Sequence, residues 1–113
     1  MNKSSPKILV VDDEPGIREL LSIMLSSEGY DVSTARDYNT ALTKFQQNDF
    51  DIIIADIMMP GKSGIDLMKA IREKDPDIPI IIITAYASIN SAIEALRLDA
   101  FDYITKPFSV CLL

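Results

Sequence analysis

Apolar runs four residues long punctuate this chain, with stretches of helical spacing between them. Ile8-Leu9-Val10-Val11, Ile52-Ile53-Ile54-Ala55 and Ile80-Ile81-Ile82-Ile83 are apolar throughout, while Val32-Ser33-Thr34-Ala35 and Asp102-Tyr103-Ile104-Thr105 are mixed. Continuous runs, rather than alternating ones, predict strands buried on both faces of a parallel sheet. After the first run, Ile17, Leu20, Leu21, Met24 and Leu25 recur on one helical face, with Pro15 in the opening turn and Gly29 placed as a left-handed C-cap. Asp37 is placed to cap a second helix that turns Ala41, Leu42 and Phe45 inward. A third carries Ile65, Met68 and Ile71 and stops before Pro76; a fourth, capped by Ser88, carries Ile89, Ala92, Ile93 and Leu96. Strands alternating with crossover helices predict an α/β doubly wound, five-stranded parallel sheet.

The ends of these runs change the picture from fold to chemistry. The first stops at Asp12-Asp13, the third at Asp56, the fourth at Thr84 and the fifth at Lys106-Pro107, whereas Ala35 leads only to Arg36-Asp37. Ligands of open α/β sheets bind outside the carboxyl ends of the strands, so these groups are expected on one edge. Each has a bland reading when taken singly. Asp12 or Asp13 could cap the following helix, Asp56 could serve a loop, Thr84 suits a strand end and Lys106-Pro107 suits a turn. Two adjacent acids repel, however, and capping needs only one, which leaves metal ligation as the competing reading.

Composition narrows the choice. The chain has 113 residues, 48% of them hydrophobic and 25% charged, which predicts one domain with a single core. Residues 1–6 are polar and expected to be flexible, without signal-peptide character, and no run is long enough to span a bilayer. A cytoplasmic location is the default expectation, and the lone Cys111 agrees with a reducing compartment. The net charge of −6 and scattered cations argue against direct nucleic-acid binding by this segment. With no histidine and one cysteine, structural zinc and a Ser-His-Asp triad are excluded, and oxygen ligands favour a hard cation such as Mg2+.

Together the strand ends fit phosphoryl transfer. Asp56 is a carboxylate nucleophile, Asp12 and Asp13 call for a divalent cation, and Lys106 and Thr84 supply donors for phosphoryl oxygens. Val10-Val11-Asp12-Asp13-Glu14, Asp56-Ile57-Met58-Met59-Pro60-Gly61, Thr84-Ala85 and Asp102-Tyr103-Ile104-Thr105-Lys106-Pro107-Phe108 resemble, in order and spacing, the receiver domain of bacterial two-component response regulators. Their wording is most similar to the nitrogen-regulation branch, whose receivers usually precede an ATPase module and a helix-turn-helix. The resemblance implies the flavodoxin-like strand order 2-1-3-4-5, with residues 1–113 as one receiver domain. It makes Asp56 the phospho-acceptor, with Mg2+ held by Asp12, Asp13, Asp56 and the Met58 backbone carbonyl. Thr84 and Tyr103 resemble the family's switch pair. Lys106 resembles the phosphoryl-contacting lysine, before a Lys106-Pro107 peptide that the family holds cis.

The same resemblance implies a sensor histidine kinase or phosphotransfer protein as phosphodonor, and no turnover of a separate substrate. Met58 and Tyr86 stand where the family controls water access, and their bulk predicts slow self-dephosphorylation. Asp99 replaces the glycine that usually ends the fourth helix. Residues 109–113 allow at most one turn of the last helix, so the C-terminal helix is expected to be truncated and the apolar surface left open to invite homodimerisation. Two other classes compete. An aspartate-nucleophile phosphohydrolase usually has a second acid two residues past the nucleophile, where this chain has Met58. A flavodoxin-like nucleotide or flavin binder needs a phosphate loop after the first strand, where Asp12-Asp13-Glu14-Pro15 would repel phosphate.

Overall fold

A computed structural model of the chain describes residues 5–57, 61–84 and 102–105. Strands β1 (Lys7–Val11), β2 (Asp31–Ala35), β3 (Ile52–Asp56), β4 (Ile80–Thr84) and β5 (Asp102–Thr105) form one parallel sheet in the order β2-β1-β3-β4-β5. Helices α1 (Pro15–Ser27), α2 (Tyr38–Gln47) and α3 (Gly64–Lys74) make the first three connections. The expected fourth helix, Asp99 and the truncated last helix lie outside the described residues.

Alternate residues of each central strand feed two cores, which is why the runs are apolar without a break. Ile8, Val10, Ile54 and Ile83 pack with Leu21 and Leu25 of α1 on one face. Leu9, Val11, Ile53, Ala55, Ile80 and Ile82 pack on the other face with Ala41 of α2 and Ile65, Leu67, Met68 and Ile71 of α3. Leu20 departs from expectation: it is 46% exposed. The buried stripe of α1 is centred on Ile17, Leu21 and Leu25, so Leu20 falls at its margin and Ile23 beyond it.

Local chemistry ends the elements where the sequence indicates. Glu28 is the C-cap of α1, Gly29 follows at φ 95°, and the Gly29 and Tyr30 amides donate to the Ser26 and Leu25 carbonyls. That is a Schellman closure, and Gly29 supplies its left-handed residue. Asp37 caps α2 by accepting from the Thr40 amide at 2.8 Å. Ser63 and Asp66 form a reciprocal capping box on α3, with Ser63 N to Asp66 Oδ2 at 3.0 Å. On the edge strand, Lys44 Nζ donates to the Thr34 carbonyl at 2.5 Å, which occupies an acceptor on a strand edge. At the N-terminus, the Asp31 amide donates to the Pro6 carbonyl at 2.9 Å, so the β1–β2 ladder begins inside the segment expected to be flexible.

Candidate metal centre

Register delivers the acids to one place. Val11 on β1 pairs with Ala55 on β3, so Asp12 and Asp56 each stand one step further along neighbouring strands. The Asp12 amide donates to the Ala35 carbonyl at 3.1 Å, carrying the β1–β2 ladder one residue past the strand. Asp12 is 0% exposed and Asp56 3% exposed; Asp13, the next residue, is the more open of the three acids. One carboxylate oxygen from each of Asp12, Asp13 and Asp56 lies within 4.8 Å of the others.

The capping reading of the acid pair is partly met. Glu14, not Asp12 or Asp13, is the N-cap of α1 and makes no side-chain cap bond. Asp12 Oδ1 instead accepts from the Glu14 amide at 2.9 Å, closing a turn that leads into the helix. Arg18, one turn into α1, donates Nη1 to the Asp12 carbonyl at 2.7 Å. Capping accounts for neither the burial of Asp56 nor its approach to Asp12 and Asp13.

Three carboxylates this close repel one another, and two of them are cut off from water. A divalent cation relieves both penalties. The donor set is all oxygen, which suits Mg2+. Oxygens on opposite sides of one Mg2+ lie about 4 Å apart, so the observed spacing needs only a small side-chain adjustment. The residues fit the ion.

The remaining expected site residues are placed to different extents. Asp56 pairs with Ile83, so Thr84 stands one step beyond it on β4. Thr84 pairs in turn with Thr105, and Tyr103 pairs with Ile82. Lys106 is next in sequence after the last residue of β5 and lies outside the described residues, as does Met58.

Two features of the site escaped the sequence reading. Arg18 reaches Asp12 from six residues away, and no local pattern marks it. Gly64 is the first residue of α3, and its amide donates to the Ile57 carbonyl at 3.0 Å. The Ser63-Gly64-Ile65-Asp66 sequence carries a capping-box signal that could have set this helix start.

Residues 8–113 match the response regulator receiver domain family. The chain belongs to that family. This receiver domain is 43% identical over 104 residues to the response regulator protein PilR of Pseudomonas aeruginosa, and 40% identical over 104 residues to the regulatory protein AtoC of Escherichia coli. Each alignment covers 92% of this chain and 23% of the relative, so the chain spans about a quarter of their length. These relatives bear out the nitrogen-regulation-like branch expected from its motifs. Among solved structures, the chemotaxis protein CheY4 of Vibrio cholerae superposes with a TM-score of 0.89 at 36% identity, covering 94% of this chain and 90% of that one. The response regulator TrrA of Thermotoga maritima, in complex with Mg2+ and BeF, gives a TM-score of 0.84 at 44% identity, covering 92% and 89%. The domain is thus a phospho-accepting signalling module of two-component response regulators, with the CheY-like form of the doubly wound fold. Receivers are regulatory domains rather than classical enzymes. No helix of the described residues is long and apolar enough to cross a membrane.

Proposed function

We propose that this receiver domain takes a phosphoryl group onto Asp56, with Mg2+ held by Asp12, Asp13, Asp56 and the Met58 backbone carbonyl. The observation that carries the reading is the meeting of three carboxylates from the ends of β1 and β3, two of them buried. An Asp56 carboxylate oxygen attacks phosphorus, a P–O bond forms, and the bond to the donor breaks with its electron pair leaving on the donor. A phosphohistidine of a sensor kinase, or of a phosphotransfer protein, is the donor class. Held by these carboxylates, Mg2+ would supply the positive charge that offsets the acid cluster and the charge of the transferring phosphoryl group. The turn that ties Asp12 to the Glu14 amide holds the metal-binding acids in place. Lys106 supplies a compact ammonium to the phosphoryl group and Thr84 a hydroxyl, and Thr84 with Tyr103 forms the pair that reports phosphorylation to the rest of the domain.

The output is control of a further domain or partner in a longer regulator, with homodimerisation as one route and no direct contact with nucleic acid by this segment. Location in the cytoplasm follows from a kinase-fed role. Met58 offers no group that orients water beside the acceptor, which favours a long-lived phosphoryl group. The same residue disfavours the phosphohydrolase reading, which needs an acid there.

The test is incubation with acetyl phosphate and Mg2+ followed by intact mass. One phosphoryl adduct is expected on the wild-type chain and none on Asp56→Ala. Absence of an adduct on folded wild-type protein, or its persistence in Asp56→Ala, overturns the assignment.

A further inference from the structure

Gly64 does not owe its place to a left-handed backbone. Gly29 and Gly61 have φ of 95° and 77°, and a Cβ built on either meets nothing within 4 Å. Gly64 is the reverse case: it lacks a positive φ, but a Cβ there would stand 2.2 Å from the Asp56 carbonyl oxygen and 2.8 Å from its carbon. The same Cβ would meet the Ile57 Cα at 3.1 Å. All three neighbours are backbone, so no side chain can swing aside.

The consequence falls on the acceptor. The capping box fixes the first turn of α3, and the Gly64 amide is bonded to the Ile57 carbonyl. Ile57 is itself held to β4, its amide donating to the Ile83 carbonyl at 3.2 Å. The end of β3 is therefore clamped between β4 and the start of α3, with Asp56 inside the clamp. Any side chain at position 64 would force the two backbones apart by roughly 1 Å to reach normal contact. Asp56 would move relative to Asp12 and Asp13, which are anchored separately through β1, the Glu14 amide and Arg18.

We propose that Gly64 is a positioning residue for phosphoryl transfer: its missing side chain lets α3 seat against the Asp56 backbone and sets the height of the acceptor carboxylate over the metal-binding acids. This rests on the reading of Asp56 and Mg2+ given above. The test compares wild type, Gly64→Ala and Gly29→Ala, the last strained at the distal end of α1 and remote from the acids. Circular dichroism establishes folding, Mg2+ titration reads the metal site, and acetyl phosphate with intact mass reads transfer.

Gly64→Ala is expected to fold, to bind Mg2+ at least roughly tenfold more weakly and to accept phosphate ~10- to 100-fold more slowly. Gly29→Ala is expected to lose stability while keeping wild-type Mg2+ affinity and rate. A folded Gly64→Ala with wild-type affinity and rate overturns the proposal. Should it not fold in plain buffer, the measurements are made in trimethylamine N-oxide, which favours the compact state. Failure to fold even there also overturns the proposal, leaving Gly64 a purely structural residue. A wild-type chain that neither binds Mg2+ nor takes up phosphate instead sinks the reading of Asp56, and this proposal with it.

Discussion

Aspartates gather at both edges of the sheet, and the two groups behave differently. At the amino-terminal edge each works alone on a loop. Asp51 Oδ2 accepts from the Lys7 amide at 2.8 Å, and Asp75 Oδ1 accepts from the amides of Asp77 and Ile78 at 3.0 and 3.1 Å. At the carboxyl-terminal edge, Asp12 and Asp56 are buried and meet Asp13. The first group satisfies backbone donors; the second accumulates like charge where water cannot screen it. Residue type does not separate a structural aspartate from a chemical one here. Burial and convergence do, because a fold has no structural use for three mutually repelling carboxylates.

The strongest way to break this contrast is to exchange one carboxylate at each edge for its amide. Asp12→Asn keeps an acceptor for the Glu14 amide but removes one charge from the proposed Mg2+ site, and Mg2+ affinity is expected to fall ~10- to 100-fold. Asp51→Asn keeps the Lys7 bond and should leave Mg2+ affinity unchanged. Thermal melts provide a second readout, since a ligand at roughly a hundredfold excess over Kd stabilises by about 2.7 kcal/mol. That gain should appear in wild type and Asp51→Asn and shrink in Asp12→Asn. Equal Mg2+ stabilisation of all three would erase the distinction between the edges.

Removing repulsion without removing the buried acids gives a smaller effect of opposite sign. Asp13→Asn is expected to stabilise the metal-free domain by about 1 kcal/mol, while weakening Mg2+ binding. A metal-free Asp13→Asn no more stable than wild type would show that the cluster carries little strain.

Much of this was legible in the sequence, and the part that was not has a physical reason. The unbroken runs at Ile8–Val11, Ile52–Ala55 and Ile80–Ile83 announced strands buried twice over, and Gly29 and Asp37 announced helix ends through local backbone chemistry. The strand ends put Asp12, Asp13 and Asp56 on one edge from sequence alone, because parallel strands share a direction. Leu20 misled because helical spacing gives a stripe but not its centre, which the sheet chooses. Arg18 and Gly64 were illegible for a related reason. Their partners, the Asp12 carbonyl and the Asp56 backbone, are reached through tertiary packing, and nothing local encodes the distance.

The structural role of the amino-terminal acids can be sharpened in turn. Asp75→Ala deprives the Asp77 and Ile78 amides of their acceptor in the loop that Arg72 also pins, through Nη1 to the Ile78 carbonyl at 2.6 Å. A loss of about 1 kcal/mol in chemical denaturation is expected, with Mg2+ affinity and acetyl phosphate reactivity unchanged. Any loss of affinity would mean that loops at one edge are coupled to chemistry at the other.

The smallest effect belongs to Asp37, an acid at the carboxyl-terminal edge that nonetheless serves structure alone. The Thr40 amide, then the Thr40 hydroxyl and the Arg36 guanidinium, hold its carboxyl below the ordinary 3.8, outweighing the opposing pull of desolvation. A depressed carboxyl pKa contributes stability that is present above the unfolded-state value and is lost as pH falls through the folded-state value. Asp37→Asn keeps an N-cap acceptor but cannot titrate. Wild type should therefore be slightly more stable than Asp37→Asn near neutrality, and the gap should close as pH drops below 3.8. Thermal melts across that range at low salt would register it, because added salt screens so exposed a charge. A gap that stays constant with pH would mean that the Asp37 charge contributes nothing to its capping. The same series on Asp56→Asn serves as the counterpart, since removing an acid from the crowded cluster should stabilise the metal-free fold near neutrality rather than weaken it.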